Sequence, residues 1–235
     1  TQQSGHTNQS VKRMKIYFDG GSWCWGSELK DPTQTRYSKI ICDHYGIDEY
    51  NISKRGACNS RLTRQLLVDH KNIKEFDLVI IQLTYPQRQE YYDKEKKKFV
   101  NNRNWVDVAR IPIEELRIPH LRRWNPDRRK AILENTELDP VDKAWLDYYK
   151  YVYEDEYGDA YEDMHATAIR SYCKANNVPL ILATIKNKRK SKLVYDIYCG
   201  DVPRHSKGHP TKEGHAIHAK QMIDFYENTL LTKHK

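Results

Sequence analysis

Asp77-Leu78-Val79-Ile80-Ile81-Gln82 is the stretch that most limits what this chain can become. Four apolar residues in a row, three of them β-branched, leave no polar face for solvent, so the segment fits a strand covered on both sides. Strands of that kind belong to parallel sheets, whose connections cross over through helices. The surrounding sequence supplies both parts. Residues 15–18 read as a short strand, 34–45 as a helix and 49–52 as a second strand. Residues 60–69 carry a helical pattern with Leu62, Leu66 and Leu67 on the apolar side. Residues 178–184 return as a strand, 193–198 as one more, and 214–231 close the chain as a helix with Ile217, Met222, Ile223 and Tyr226 toward the sheet. This alternation predicts an α/β fold, with helices on both faces of a mainly parallel sheet.

The regularity stops after Leu83. Residues 85–138 mix prolines, arginines, aromatics and charge blocks without a period, and read as an insertion of short helices and loops placed as a lid or substrate wall over the sheet's carboxyl edge. Helical patterns resume over 139–157 and 161–176. The 235 residues suit one domain, 13–235, preceded by a polar segment, 1–12, that reads as a flexible leader or cloning remnant. Only 38% of residues are apolar against 31% charged, but 17 tyrosines and 5 tryptophans argue against wholesale disorder. No apolar run approaches the roughly 20 residues of a membrane span.

The formal charge is +8, with basic clusters at 94–98, 122–130 and 186–192. Such clusters attract nucleic acid or an anionic polymer, although solvated loops explain them more simply. Five cysteines, Cys24, Cys42, Cys58, Cys173 and Cys199, lack the paired spacing of a zinc or redox motif. Their odd number, with no signal peptide detected, points to the cytoplasm or another reducing compartment. Oligomeric state is not fixed by these features.

Three strand-to-loop junctions carry the chemistry: Phe18 into Ser22, Ile52 into Gly56 and Asn59, and Ile81 into Thr84. In a parallel sheet all three open at the same edge, where functional crevices form. A serine in the Gly20-Gly21-Ser22 turn is a candidate nucleophile, and His209 in Gly208-His209-Pro210 a candidate base. Serines in glycine turns also cap helices or bond locally.

Taken together these blocks resemble the SGNH/GDSL hydrolases over roughly 15–84 and 178–229. The resemblance implies a flavodoxin-like three-layer α/β/α sandwich and an esterase, lipase, deacetylase or thioesterase activity. Gly20-Gly21-Ser22 matches the nucleophile block, with Gly21 where the family has aspartate. Gly56 matches the glycine that supplies an oxyanion amide, and Thr84 stands where the family presents asparagine. His209-Pro210-Thr211 followed by Gly214-His215 matches the last block, with His209 as the base and Ser206 where the family carries its orienting aspartate. Asp201 is the nearest substitute carboxylate along the loop and Asp196 a second; a Ser-His dyad is the remaining arrangement.

The expected reaction is metal-independent hydrolysis of an acyl ester, a carbohydrate O-acyl or N-acetyl group among the candidates, through an acyl-serine. Ser22 attacks, His209 takes its proton, and the Ser22 and Gly56 amides hold the oxyanion with Thr84 or Asn59. Trp23, Tyr85 and Arg88 are candidate substrate contacts; Arg88, four positions after Thr84, suits a carboxylate or phosphate, or a salt bridge to Glu90 or Asp93. His215 reads first as a packing or capping residue and second as an alternative base. His205, His209, His215 and His218 cluster in sequence but lack the dense ligand spacing that specifies zinc, and no cofactor is expected. The competing reading is an SGNH-like binding or structural module for an anionic polymer or carbohydrate, left catalytically impaired by the changed acid and oxyanion donor. Neither reading calls for a membrane partner, and nucleic acid is the weaker one.

Overall fold

The computed structural model describes residues 13–70, 72–102, 140–185, 195–206 and 208–234. Its centre is a five-stranded, all-parallel sheet. The strands are β1 (Ile16–Gly20), β2 (Tyr50–Asn51), β3 (Leu78–Leu83), β6 (Leu180–Thr184) and β7 (Ile197–Tyr198), in the order β2-β1-β3-β6-β7. With the separate hairpin of β4 (Gln89–Asp93) and β5 (Lys98–Asn102) set aside, this is the 2-1-3-4-5 order of flavodoxin-like sheets. The chain reverses direction across the sheet between β1 and β3, which opens a crevice at their carboxyl ends.

Strand alternation builds two cores. Ile16, Phe18, Leu78, Ile80, Ile181 and Ala183 face one side, against Tyr37 and Ile41 of α3 (Tyr37–Tyr45) and Ala219 and Met222 of α7 (Lys212–Phe225). Their neighbours Tyr17, Val79, Ile81, Leu83 and Leu182 face the other, against Leu62 of α4 (Asn59–Arg64) and Ala166, Ile169 and Cys173 of α6 (Asp155–Ala175). The result is the three-layer α/β/α sandwich, with the apolar run of β3 buried along its whole length. All five cysteines are buried thiols. Among the described residues no helix is long and apolar enough to cross a membrane.

Several local expectations change. The helix expected over 34–45 breaks at Arg36, whose extended backbone separates α2 (Pro32–Thr35) from α3. The pattern over 60–69 divides into α4 and a π-helical turn, Gln65–Asp69, which keeps Leu66 inside. In the closing helix the inward stripe is His215, His218, Ala219 and Met222, a spacing that turns Ile217 outward to 40% exposure.

The insertion also begins differently, because residues 89–102 form an antiparallel hairpin pairing Gln89 with Asn102 and Asp93 with Lys98. Its lysine-rich turn masks two β-prone arms containing Tyr91, Tyr92, Phe99 and Val100. Arg64 of α4 fastens the hairpin, pairing with Glu90 at 3.0 Å while its guanidinium lies 4.1 Å over the Phe99 ring. Residues 103–139 and the 186–194 segment, which include two of the basic clusters, lie outside the described residues, as does the leader. Beyond the hairpin, α5 (Pro140–Tyr151) and α6 replace the two expected helices.

Candidate active site

Ser22 is the first residue of α1 (Ser22–Trp25), a single turn that starts directly beyond β1. The tightness of that junction requires Gly20, where an added Cβ would lie 2.6 Å from the Cβ of Cys24. A polar network fixes the turn from below. Asn51 donates to the Cys24 carbonyl at 3.3 Å and to Ser38 Oγ at 2.7 Å, while Arg36 holds Glu49 through two bonds of 2.9 and 2.7 Å. On the other side, the buried carboxylate of Asp19 accepts from Arg61 Nη1 and from the Gly20 amide, both at 2.8 Å. Arg61 also donates to the Ile52 carbonyl at 2.7 Å, so one guanidinium joins α4 to the ends of β1 and β2. Burial pushes the Asp19 carboxyl up to about 7 against the opposing pull of Arg61.

Gly56 lies in the turn after β2, closed by the Ala57 amide donating to the Lys54 carbonyl at 3.0 Å. Its φ of +67° is left-handed, which explains a glycine there without reference to function. The Lys54 amide donates to the Gly20 carbonyl, tying this turn to the end of β1. Asn59 is buried and committed: its Oδ1 accepts from the Thr84 amide at 2.9 Å and its Nδ2 donates to the Thr84 carbonyl at 3.3 Å. These two hydrogen bonds to the backbone of one residue make Asn59 a clamp between α4 and the end of β3.

Thr84 is buried and its hydroxyl points at the serine turn. A Cβ on Gly21 would lie 3.4 Å from Thr84 Oγ1 and 3.8 Å from Arg88 Nη1. Arg88 Nη1 donates to Thr84 Oγ1 at 2.8 Å. With a lone pair taken by the guanidinium, the hydroxyl proton is left to donate elsewhere. The Arg88 guanidinium also lies 4.9 Å over the ring of Tyr85, which is exposed at the strand end. Trp23, expected as a substrate contact, is one of the two buried residues of α1, 5% exposed, and stacks on His218 with ring centroids 6.0 Å apart.

His209 sits on a hairpin-like loop. Arg204 bridges Pro210, the His205 amide donates to the His209 carbonyl at 2.7 Å, and the Thr211 amide donates to the Pro203 carbonyl at 2.9 Å. Thr211 then caps α7, its Oγ1 accepting from the Gly214 amide at 3.2 Å. The carboxylate on the imidazole is Glu28, with 2.7 Å between Oε2 and His209 Nδ1. Glu28 also accepts from the His209 amide at 3.4 Å. Asp201 is exposed in the same loop without that contact, Ser206 is exposed, and Asp196 is engaged elsewhere, accepting from the Leu182 amide at 2.7 Å. Glu28 lies in the turn after α1 with φ of +71°, a left-handed backbone unusual for a non-glycine residue and typical of positions held by their surroundings. Among the described residues Ser22 Oγ makes no hydrogen bond, and serine-to-imidazole bonds often close only around substrate.

His215, weighed above as an alternative base, is fully buried, and its Nδ1 accepts from the Tyr37 amide at 3.2 Å, capping the start of α3. Burial lowers its pKa to about 3, and burial likewise lowers that of His218 to about 4. Among the described residues no group of three or more His, Cys, Asp or Glu side chains is placed to hold a metal ion.

No family model and no curated protein matches the sequence. Solved structures do match in shape. One is a carbohydrate esterase whose active site is described as showing divergent catalytic and non-catalytic binding functions; it shares 9% identity at a TM-score of 0.50, covering 93% of this chain and 70% of that one. A family two carbohydrate esterase from Clostridium thermocellum, solved with cellohexaose, shares 12% identity at 0.42, covering 92% of this chain and 64% of that one. A lipolytic protein of the G-D-S-L family from Veillonella parvula shares 10% at 0.37, covering 91% and 98%. At these identities the likeness, carried by the first of them, is one of fold.

Proposed function

We propose that the chain is a serine esterase that removes an acyl group, carried by a carbohydrate or other small acceptor, through an acyl-serine. The observation that carries this reading is the 2.7 Å contact between Glu28 and His209 Nδ1 on the loop that follows β7. A carboxylate at Nδ1 fixes the tautomer in which Nε2 is the acceptor and stabilises the imidazolium once Nε2 is protonated. Glu28 is tethered six residues after Ser22, at the same end of the sheet.

In this mechanism Ser22 Oγ attacks the acyl carbonyl as His209 Nε2 takes its proton. The amides of Ser22 and Gly56 and the Thr84 hydroxyl receive the developing oxyanion. Collapse expels the alcohol, which takes the proton from His209. Water, deprotonated by the same imidazole, then attacks the acyl-serine and releases the carboxylic acid and free Ser22.

A second reading, a binding module without turnover, is favoured by one observation, that Ser22 Oγ makes no hydrogen bond among the described residues. An activated short-chain aryl ester separates the two. Incubation with the protein and with Ser22→Ala is expected to give alcohol release and an intact-mass acyl adduct in the first only. Equal release by both proteins, with no adduct, would refute the serine mechanism.

A further inference from the structure

The serine turn does not hold itself in place. α1 is a single turn with no side chain capping its start, and a helix that short is unstable alone, so the aim of Ser22 depends on what packs against the turn. Asn51 holds the Cys24 carbonyl. Trp23, the residue after Ser22, meets two further groups. One is His218 of α7, whose ring lies at 15° to the indole and whose Nε2 donates to the Cys199 carbonyl at 3.0 Å. The other is Arg204, whose guanidinium lies 5.0 Å from the centroid of the Trp23 ring. Arg204 is exposed, and among the described residues no carboxylate pairs with it. An indole face attracts such a cation more strongly than the other aromatic rings do.

Arg204 also belongs to the loop that carries His209. Its backbone bridges antiparallel to Pro210, the residue after His209. Around that bridge the Thr211 amide donates to the Pro203 carbonyl, the His205 amide to the His209 carbonyl and the Gly208 amide to the His205 carbonyl. These bonds join the arms 203–205 and 209–211 into one unit. That unit meets the segment around Ser22 through two side-chain contacts, His209 with Glu28 and Arg204 with Trp23. The first is made by the imidazole itself. The second uses no reacting group.

We infer that Arg204 is a positioning residue: its guanidinium, laid on the Trp23 ring, docks the His209 loop onto the serine turn and so sets the imidazole against Ser22. The inference rests on the esterase reading for the reaction that is positioned. Misplacing a reacting group by about 1 Å can cost about 10²-fold in rate, so a contact outside the chemistry can still govern it.

The test compares the unmutated chain with Arg204→Met, which keeps an apolar stem without the charge, and Arg204→Lys, which keeps a cation. Both are exposed substitutions, and the urea midpoint is expected to stay in place. On an activated short-chain aryl ester, Arg204→Met should lower kcat by about ten- to a hundredfold with KM within about twofold, because placement rather than substrate binding is lost. Arg204→Lys should recover most of that loss. Amide hydrogen exchange, read without substrate, should quicken over 203–211 in Arg204→Met and stay unchanged over β3. Unchanged kcat in Arg204→Met, unchanged exchange over the loop, or a loss in Arg204→Lys as large as in Arg204→Met would overturn the inference while the esterase reading stands. A raised KM at constant kcat would also overturn it, by making Arg204 a substrate contact. Absence of Ser22-dependent release from the unmutated chain would overturn the esterase reading and the positioning role with it, whatever the exchange shows.

Discussion

Toward Trp23, the site pairs His209 with Glu28 across two loops that are remote in sequence and 2.7 Å apart in space. Toward Gly21, it presents Thr84, whose hydroxyl is engaged by Arg88 and whose backbone is clamped by Asn59. In the proposed mechanism the acid-base side keeps a familiar chemical pair but draws its carboxylate from a new place. The proposed oxyanion side keeps the place but changes the group, a hydroxyl standing where an amide would be expected. On this reading a role is filled through geometry on one side and through position on the other. Predictions that treat the two sides alike should fail.

The largest effect is expected on the acid-base side. Glu28→Gln preserves size and the chance of a hydrogen bond but removes the charge that steadies the imidazolium, and loss of the orienting carboxylate in a serine triad costs about 10⁴-fold in kcat. Asp201→Asn, in the same loop as His209 but exposed, should change kcat by less than about threefold, as surface substitutions usually perturb little. Steady-state rates on an aryl ester decide the matter. A large loss in Asp201→Asn with little loss in Glu28→Gln would return the orienting role to the loop aspartate.

The oxyanion side should respond more weakly. Thr84→Val keeps the shape and removes the donor, and loss of one oxyanion donor costs about 10²- to 10³-fold in kcat. KM should hold nearly constant, since the contact forms mainly in the transition state. Thr84→Ser should recover most of the rate. A Thr84→Val protein with unchanged kcat would leave the two backbone amides as sufficient donors.

This asymmetry also explains what the sequence disclosed. The parallel sheet was legible because β3 carries four consecutive apolar residues, Leu78–Ile81, and because glycine turns punctuate β1 and β2. Ser22, Gly56, Thr84 and His209 could be singled out because each sits in a short local block next to a strand or helix end. Glu28 could not, since its proposed role arises from a contact 181 residues apart in sequence, and no spacing rule encodes such a contact. Asp19 carries a legible signal of its own: a carboxylate ending an apolar strand is costly unless paired, and Arg61 of α4 is its partner. Asn59 is less legible, because a buried amide near a strand end can satisfy backbone as readily as substrate. Arg204 is one charge among many in the sequence, and only the fold sets it over the Trp23 ring. The β4–β5 hairpin was hidden by its lysines, whose charge suppresses the apolar alternation that marks a strand.

The smallest effect concerns stability, and it separates the exposed histidine chemistry from the buried histidines behind it. His215 and His218 are held neutral by burial, with pKa values lowered from 6.5 to about 3 and about 4. Below pH 6.5 the unfolded chain accepts protons that the native state refuses, so stability falls as pH drops toward those values and is unaffected by them above 6.5. Each imidazole contributes about 1.4 kcal/mol per pH unit within that window. Asp19, raised from 3.8 to about 7, works in the opposite sense, because the native state keeps a proton that the unfolded chain releases as pH rises. A comparison between variants removes that shared contribution. His215→Asn retains an acceptor for the Tyr37 amide, and His218→Gln retains a donor for the Cys199 carbonyl, which His218 Nε2 now meets at 3.0 Å. Urea unfolding at a series of pH values should show the double variant losing stability on acidification more slowly than the unmutated chain, by about 1.4 kcal/mol per pH unit for each histidine replaced. Parallel slopes would mean that both imidazoles titrate normally in the folded protein, and would put them in the same class as any exposed histidine.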